Sequence, residues 1–203
     1  MVIVEVDEKL KSKLKNVNLS SGILDNCLNS KFVAIQEHDS KIVGACFVGG
    51  LLNNQGIEIL EEFRGKGLSK KLLDEMVGEC KRRKISFITG AFKPTNIPSI
   101  RTHVKIGYRA VFTFHYNKTE GKEIVVMLPF NKKGEFLFKL AKGFDTRLGN
   151  MFFAIFLKVT RPILKNLLAF SGEIVPRVDF LYSVRSFEKV QKTLDEIGLE
   201  IKK

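Results

Sequence analysis

The sequence predicts an α/β fold in which one mixed central sheet is flanked by helices over residues 1–130, followed by a mainly helical extension over residues 131–203. Three observations carry this reading. Short β-branched runs alternate with segments of helical periodicity, the pattern of strands and helices arranged around one sheet. Two pairs of these runs are joined by short polar links, as in hairpins. Beyond residue 130 the alternation stops, and apolar and basic residues mix at helical spacing.

Taken in order, Val2 to Val6 reads as an opening strand. Residues 7–15 and 20–29 place Leu10 and Leu14, then Ile23, Leu24, Cys27 and Leu28, at near-helical spacing, with Asp7 and Ser20 as caps. Lys31 to Glu37 and Lys41 to Val48 form a hairpin around His38, Asp39 and Ser40, and Ile57 to Leu60 is a third short strand. A helix starts at Leu68, where Leu68, Leu72, Met76 and Cys80 recur every four residues, and Lys81 to Lys84 put cations at the negative end of its dipole. Ile85 to Phe92 is a strand. Asn96 caps a helix that Gly107 ends near Ile106. Tyr108 to Tyr116 and Glu123 to Phe130 make a second hairpin around Gly121. In the extension, Leu137, Leu140, Phe144, Leu148, Phe152, Phe156 and Val159 predict amphipathic helix broken near Gly149 and at Pro162. Residues 186–198 are a last helix candidate.

Composition narrows the function. With 44% hydrophobic and 28% charged residues in 203, the chain can bury a core, which excludes wholesale disorder. A net charge of +12 favours phosphate-rich ligands, nucleic acid or an acidic membrane face. Seventeen phenylalanines and no tryptophan make the aromatic content mostly core filling, so nucleic acid ranks low. Cys27, Cys46 and Cys80 lie far apart with no paired spacing, which suggests neither a zinc ribbon nor a disulfide framework and reads as a reducing, cytoplasmic setting. No secretory leader is evident, and the longest wholly apolar run, Met151 to Leu157, is too short to cross a bilayer. Three scattered histidines with no acid cluster predict no metal site.

The segment most suggestive of chemistry is Arg64-Gly65-Lys66-Gly67-Leu68-Ser69, which runs from a strand straight into a helix. Such a bend collects unpaired backbone N–H groups at the positive end of a helix dipole and suits phosphate. Glycines at 65 and 67 let an anion approach closely, and Lys66, Lys70 and Lys71 add charge. It is neither a P-loop nor a dinucleotide fingerprint, because the Walker lysine spacing and the third glycine are missing. The segment resembles the Arg/Gln-x-x-Gly-x-Gly/Ala acyl-CoA signature of the GCN5-related N-acetyltransferases, the GNAT superfamily. Ser69 stands where that family has Gly or Ala. Asn96 to Tyr108 resembles the family's second signature, Asn-x-x-Ala-x-x-Leu-Tyr-x-Lys-x-Gly-Phe, with Ser99 for Ala and Tyr108 for Phe. The resemblance covers residues 1–130 and not the extension.

This resemblance implies a fold with two splayed parallel strands, here Ile57 to Leu60 and Ile85 to Phe92. Between them the pantetheine arm of acetyl-CoA would pair with the backbone near Ile59 and Leu60. Arg64, Gly65, Lys66, Gly67, Leu68 and Ser69 would hold the diphosphate, and Asn96 and Ser99 would belong to the cofactor's other wall. It further implies acetyl transfer to a primary amine of a small molecule or peptide by direct attack in a ternary complex. Glu58 is the candidate base. His103 occupies the family's frequent Tyr position and is the candidate acid, its alternative being an ordinary helix residue. Glu61 and Glu62 read as solvated charges, His115 and Tyr116 lie on a strand where a histidine is more often structural, and His38 has no evident role. Cys46 and Cys80 read as core rather than as nucleophiles. The extension has two readings. Its apolar positions pack on the sheet or on a second copy as a homodimer, which is preferred, or residues 136–170 lie peripherally on an anionic membrane. The competing function is a non-catalytic module that binds CoA or docks on a membrane and transfers nothing.

Overall fold

Strands and helices alternate through the computed structural model, which describes residues 1–50, 52–115, 121–170 and 186–198. Contacts gather the described residues into two units, Met1–Ile85 and Ser86–Phe170 with residues 186–198. Tyr116 and the tip of the second predicted hairpin lie outside the described residues.

In the first unit, strand β1 (Val2–Glu5) is followed by helices α1 (Glu8–Lys15) and α2 (Ser21–Asn29). Strands β2 (Phe32–His38), β3 (Lys41–Gly49) and β4 (Asn54–Ile59) and helix α3 (Leu68–Arg82) complete it. Each strand pairs antiparallel with the next. Asp7 caps α1 as the sequence predicts, its carboxylate accepting from Leu10 N at 2.7 Å. The β2–β3 link is tighter than the predicted three residues, because His38 pairs with Lys41. Asp39 and Ser40 alone make the bend with φ of 49° and 63°, the left-handed pair a two-residue hairpin requires. Leu10 and Leu14 of α1, with Cys27 of α2, pack on Val33, Ile35, Ala45 and Phe47. Leu72, Leu73, Met76 and Cys80 of α3 are fully buried, so the four-residue periodicity read from the sequence is the inner stripe of that helix.

The basic end of α3 closes on carboxylates of its own unit. Arg82 and Arg83 both bind Glu79, Arg83 also binds Glu5, and its guanidinium lies 4.1 Å above the Phe32 ring. These contacts engage Arg82 and Arg83 within the unit, at the end of the helix where the dipole favours cations.

The second unit contains β5 (Phe87–Phe92), α4 (Ile97–Ile106), β6 (Arg109–His115), β7 (Lys122–Pro129), α5 (Lys132–Lys142) and α6 (Arg147–Phe170). Strand β8 (Ser186–Glu188) and helix α7 (Val190–Glu196) follow. Its strands lie in the order β5-β7-β6-β8, each pair antiparallel. Asn131 caps α5 by accepting from Gly134 N at 2.9 Å, and a Cβ on buried Gly134 would stand 2.0 Å from Ser86 O. The start of α5 therefore rests on the residue just before β5 through a contact only glycine allows.

Two expectations for the extension change. The predicted break near Gly149 falls instead at a 3-10 turn, Gly143–Asp145, because Thr146 Oγ1 accepts from Gly149 N at 3.0 Å and starts α6 there. Gly149 serves close approach, since a Cβ there would lie 2.2 Å from Gly143 O. Pro162 does not break the helix either. It sits inside α6 at an exposed position, and the helix continues through it.

Residues 186–198 are not one helix but β8 and then α7. Ser186, Phe187 and Glu188 pair with His115, Phe114 and Thr113 along the edge of β6. Burial pushes the Glu188 carboxyl up, but hydrogen bonds from Lys192, Lys122 and His115 outweigh it and hold the group down at about 2. His115, 3.0 Å from that carboxylate, is thus a fastening of β8.

Candidate active site

The end of β4 and the loop after it carry the first group of expected site residues. Leu60 gives its N–H to Val43 O and its C=O to Phe63 N, both at 2.9 Å. Antiparallel alternation then turns the main chain of Ile59 to the opposite edge of β4, where its carbonyl accepts from Arg64 Nε at 3.0 Å. Of the two residues expected to face a pantetheine arm, Ile59 presents its backbone at that edge and Leu60 has both main-chain groups engaged. Arg64 is likewise committed at Nε, folding the loop back onto the strand that precedes it.

Beyond Arg64 the chain turns through Gly65 at φ 77° and Gly67 at φ 72°, and at both positions the place of a Cβ is open, with nothing within 4 Å. Gly67 is the residue before α3, and no side chain caps the helix there. The first bond closing back onto the loop is Lys71 N to Gly67 O at 3.3 Å. Helix geometry therefore leaves the N–H groups of Leu68, Ser69 and Lys70 without intrahelical partners at the positive end of a 15-residue helix. Residues 64–67 are exposed, and Lys66 Nζ stands 5.1 Å from the Phe63 ring centroid. An open bend, two left-handed glycines and outward amides fit a diphosphate. Glu61 and Glu62 are exposed, as the sequence suggests.

Glu58 is more tightly held than its sequence position implies. Its Oε2 accepts from both Ser20 N and Ser20 Oγ, each at 2.8 Å, tying β4 to the start of α2. The sequence marks Ser20 only as a helix cap, and its hydroxyl makes no cap bond within α2. A pairing across 38 residues leaves no local signal. Beside the end of β4 opens a cleft of about 720 Å³, lined by residues including Lys13, Asn18, Asp39, Lys41, Glu62 and Phe63.

Helix α4 carries the other expected residues. Asn96 Oδ1 accepts from Ser99 N at 3.3 Å, so the predicted cap is present, and Asn96 is exposed. Ser99 O in turn accepts from His103 Nδ1 at 2.8 Å, which places the proton on Nδ1 in the neutral ring. His103 is only 1% exposed, with ring centroids of Phe92 and Tyr108 at 4.4 and 4.8 Å. Burial pushes its pKa down to about 4, against the pull of the Ser99 carbonyl. The sequence leaves His103 either a proton donor near neutrality, if its pKa is ordinary or raised, or an ordinary helix residue. The imidazole is neutral at that pH and packed in an aromatic pocket.

This burial has a measurable consequence. A histidine of ordinary pKa, about 6.5, when unfolded takes up a proton that the folded chain refuses. Stability is thus full above about pH 6.5 and falls as pH drops toward 4, by about 1.4 kcal/mol per pH unit from this residue. Denaturant melts at a series of pH values should show that slope, and His103→Phe should remove it. An unchanged slope in the variant contradicts a buried neutral ring.

The cysteines offer no nucleophile. Burial pushes Cys27 and Cys80 up to about 12 and Cys46 well above the ordinary thiol range. Among the described residues no group of three or more His, Cys, Asp or Glu is placed to hold a metal ion.

A model of the acetyltransferase (GNAT) family matches residues 18–108. A search of curated proteins finds no match. Among solved structures, a GNAT family acetyltransferase from Elizabethkingia anophelis with acetyl-CoA bound aligns at a TM-score of 0.52 and 14% identity, over 64% of this chain and 97% of that one. Naa50 of Arabidopsis thaliana, in complex with the bisubstrate analogue CoA-Ac-MVNAL, aligns at 0.50 and 17% identity, over 64% and 98%. The ribosomal-protein-alanine N-acetyltransferase of Brucella melitensis aligns at 0.50 and 16%, over 64% and 100%. These structural likenesses are likenesses of fold, and the extension lies outside the family match. The two signatures, Arg64 to Ser69 and Asn96 to Tyr108, fall within the matched span. The match to the acetyltransferase (GNAT) family model is confined to residues 18–108, a little under half of the chain.

Proposed function

We propose that the protein transfers an acetyl group from acetyl-CoA to a primary amine of a peptide or small molecule by direct attack in a ternary complex. The observation that carries this is the open glycine bend at residues 64–69, whose amides lead into α3 inside the matched domain. In this reading residues 1–130 are the catalytic part and residues 131–203 an appended element. Acetyl-CoA supplies the activated acyl group. Gly65 to Ser69 hold its diphosphate, the main chain of Ile59 pairs with its arm, and Asn96 and Ser99 are the remaining cofactor-binding residues.

Glu58 takes the proton of the acceptor ammonium, directly or through a water, and its two bonds from Ser20 fix the carboxylate for that task. The neutral amine forms the new N–C bond while the C–S bond of the thioester breaks, and the nitrogen sheds its second proton to solvent as the amide forms. Because a thiol is acidic, its thiolate departs unaided and then takes a proton from solvent. His103 enters this scheme as packing for α4 rather than as the acid.

The test is release of free CoA from acetyl-CoA in the presence of a panel of amines. Turnover with one class of amine supports the reading. Acetyl-CoA binding without release across polyamines, amino acids, amino sugars and peptide N-termini overturns it in favour of a non-catalytic CoA-binding module.

A further inference from the structure

Helices α5 and α6 face the sheet with only part of their apolar surface. Leu137, Phe138, Phe144 and Phe153 pack against Val111, Phe112 and Met127. On α6, Leu148, Met151, Phe152, Ile155, Val159 and Ile163 are each half or more exposed, and so are Phe136 and Leu140 on α5. The α6 positions recur every three or four residues, so they form a stripe about 22 Å long on the outside of the unit. An exposed apolar strip of this extent marks a surface that meets something other than water.

Charge indicates what it meets. Between residues 131 and 170 the only acids are Glu135 and Asp145, against eight Lys or Arg. Glu135 is paired with Arg109 and Asp145 with Lys142, each at 2.7 Å, so both acids are neutralised within the unit. Lys132, Lys133 and Lys139 are exposed on the same helix as Phe136 and Leu140. A second copy would bring the same cations against these, on a chain of net charge +12, with no acid in the segment left to meet them. An anionic headgroup layer complements them, and its acyl region takes the apolar stripe. Among the described residues no helix is long and apolar enough to cross a membrane, so such contact lies along the surface.

We propose that the outer face of α5 and α6 docks the protein on an anionic lipid surface, an inference independent of acetyl transfer. The test is flotation of the full chain with vesicles of phosphatidylcholine, with and without phosphatidylserine, over a range of salt. Binding to the anionic vesicles alone, weakening as salt rises, is the expected result. Replacing Phe152 and Ile155 together by serine should weaken partitioning by about tenfold or more, with an unchanged thermal melt because both are exposed. Replacing Lys132, Lys133 and Lys139 by glutamine should flatten the salt dependence. Absence of binding to anionic vesicles at low salt overturns the proposal. So does binding that neither set of replacements changes, or a sedimenting dimer, split by the serine pair, in place of vesicle binding.

Discussion

Gly67→Val should lower affinity for acetyl-CoA by about 10²-fold or more while the chain still folds, with the loss read by calorimetry. Two effects add. A β-branched residue is strongly disfavoured at the φ of 72° found there, so the bend must shift and re-aim the amides at the start of α3. Whatever backbone results, the side chain then occupies the open space that a diphosphate needs. Gly121→Ala is the control. It places a Cβ at another open left-handed glycine, φ 78°, outside residues 64–69, and should leave acetyl-CoA affinity unchanged. If the two variants bind acetyl-CoA equally well, the bend is not the diphosphate site.

Glu58→Gln carries the second large effect, a fall in kcat of about 10²-fold with little change in KM for acetyl-CoA. Gln keeps a carbonyl oxygen able to accept from Ser20 N and Oγ, so the tie between β4 and α2 survives and the melting temperature should hold. Ser20→Ala separates the roles from the other side, since it removes one donor while leaving the carboxylate in place. A Glu58→Gln enzyme with wild-type kcat makes Glu58 an anchor for α2 and nothing more.

What the sequence could disclose follows the range of the interactions. Helix α3 was legible because its four-residue stripe and its glycine bend are written in consecutive residues, and the same holds for α4 between Asn96 and Gly107. β8 was not, because a three-residue strand is defined by the edge of β6 it joins and by Lys122 and His115 reaching Glu188. The bond from Ser20 to Glu58 was hidden for the same reason. The environment of His103 escaped as well. Its position in the second signature says nothing of the rings of Phe92 and Tyr108 that enclose it and set its protonation. In the extension, periodicity predicted helix correctly and could not tell which apolar residues turn inward, because Phe153 and Phe152 are the same letter one place apart.

The shielding of all three thiols has a practical side. Ellman-type dyes react with thiolate in reach of solvent, and Cys27, Cys46 and Cys80 offer none near neutral pH. The sulfur freed from a spent thioester therefore reports against a quiet background, and each turnover can be followed continuously by colour without first blocking the protein.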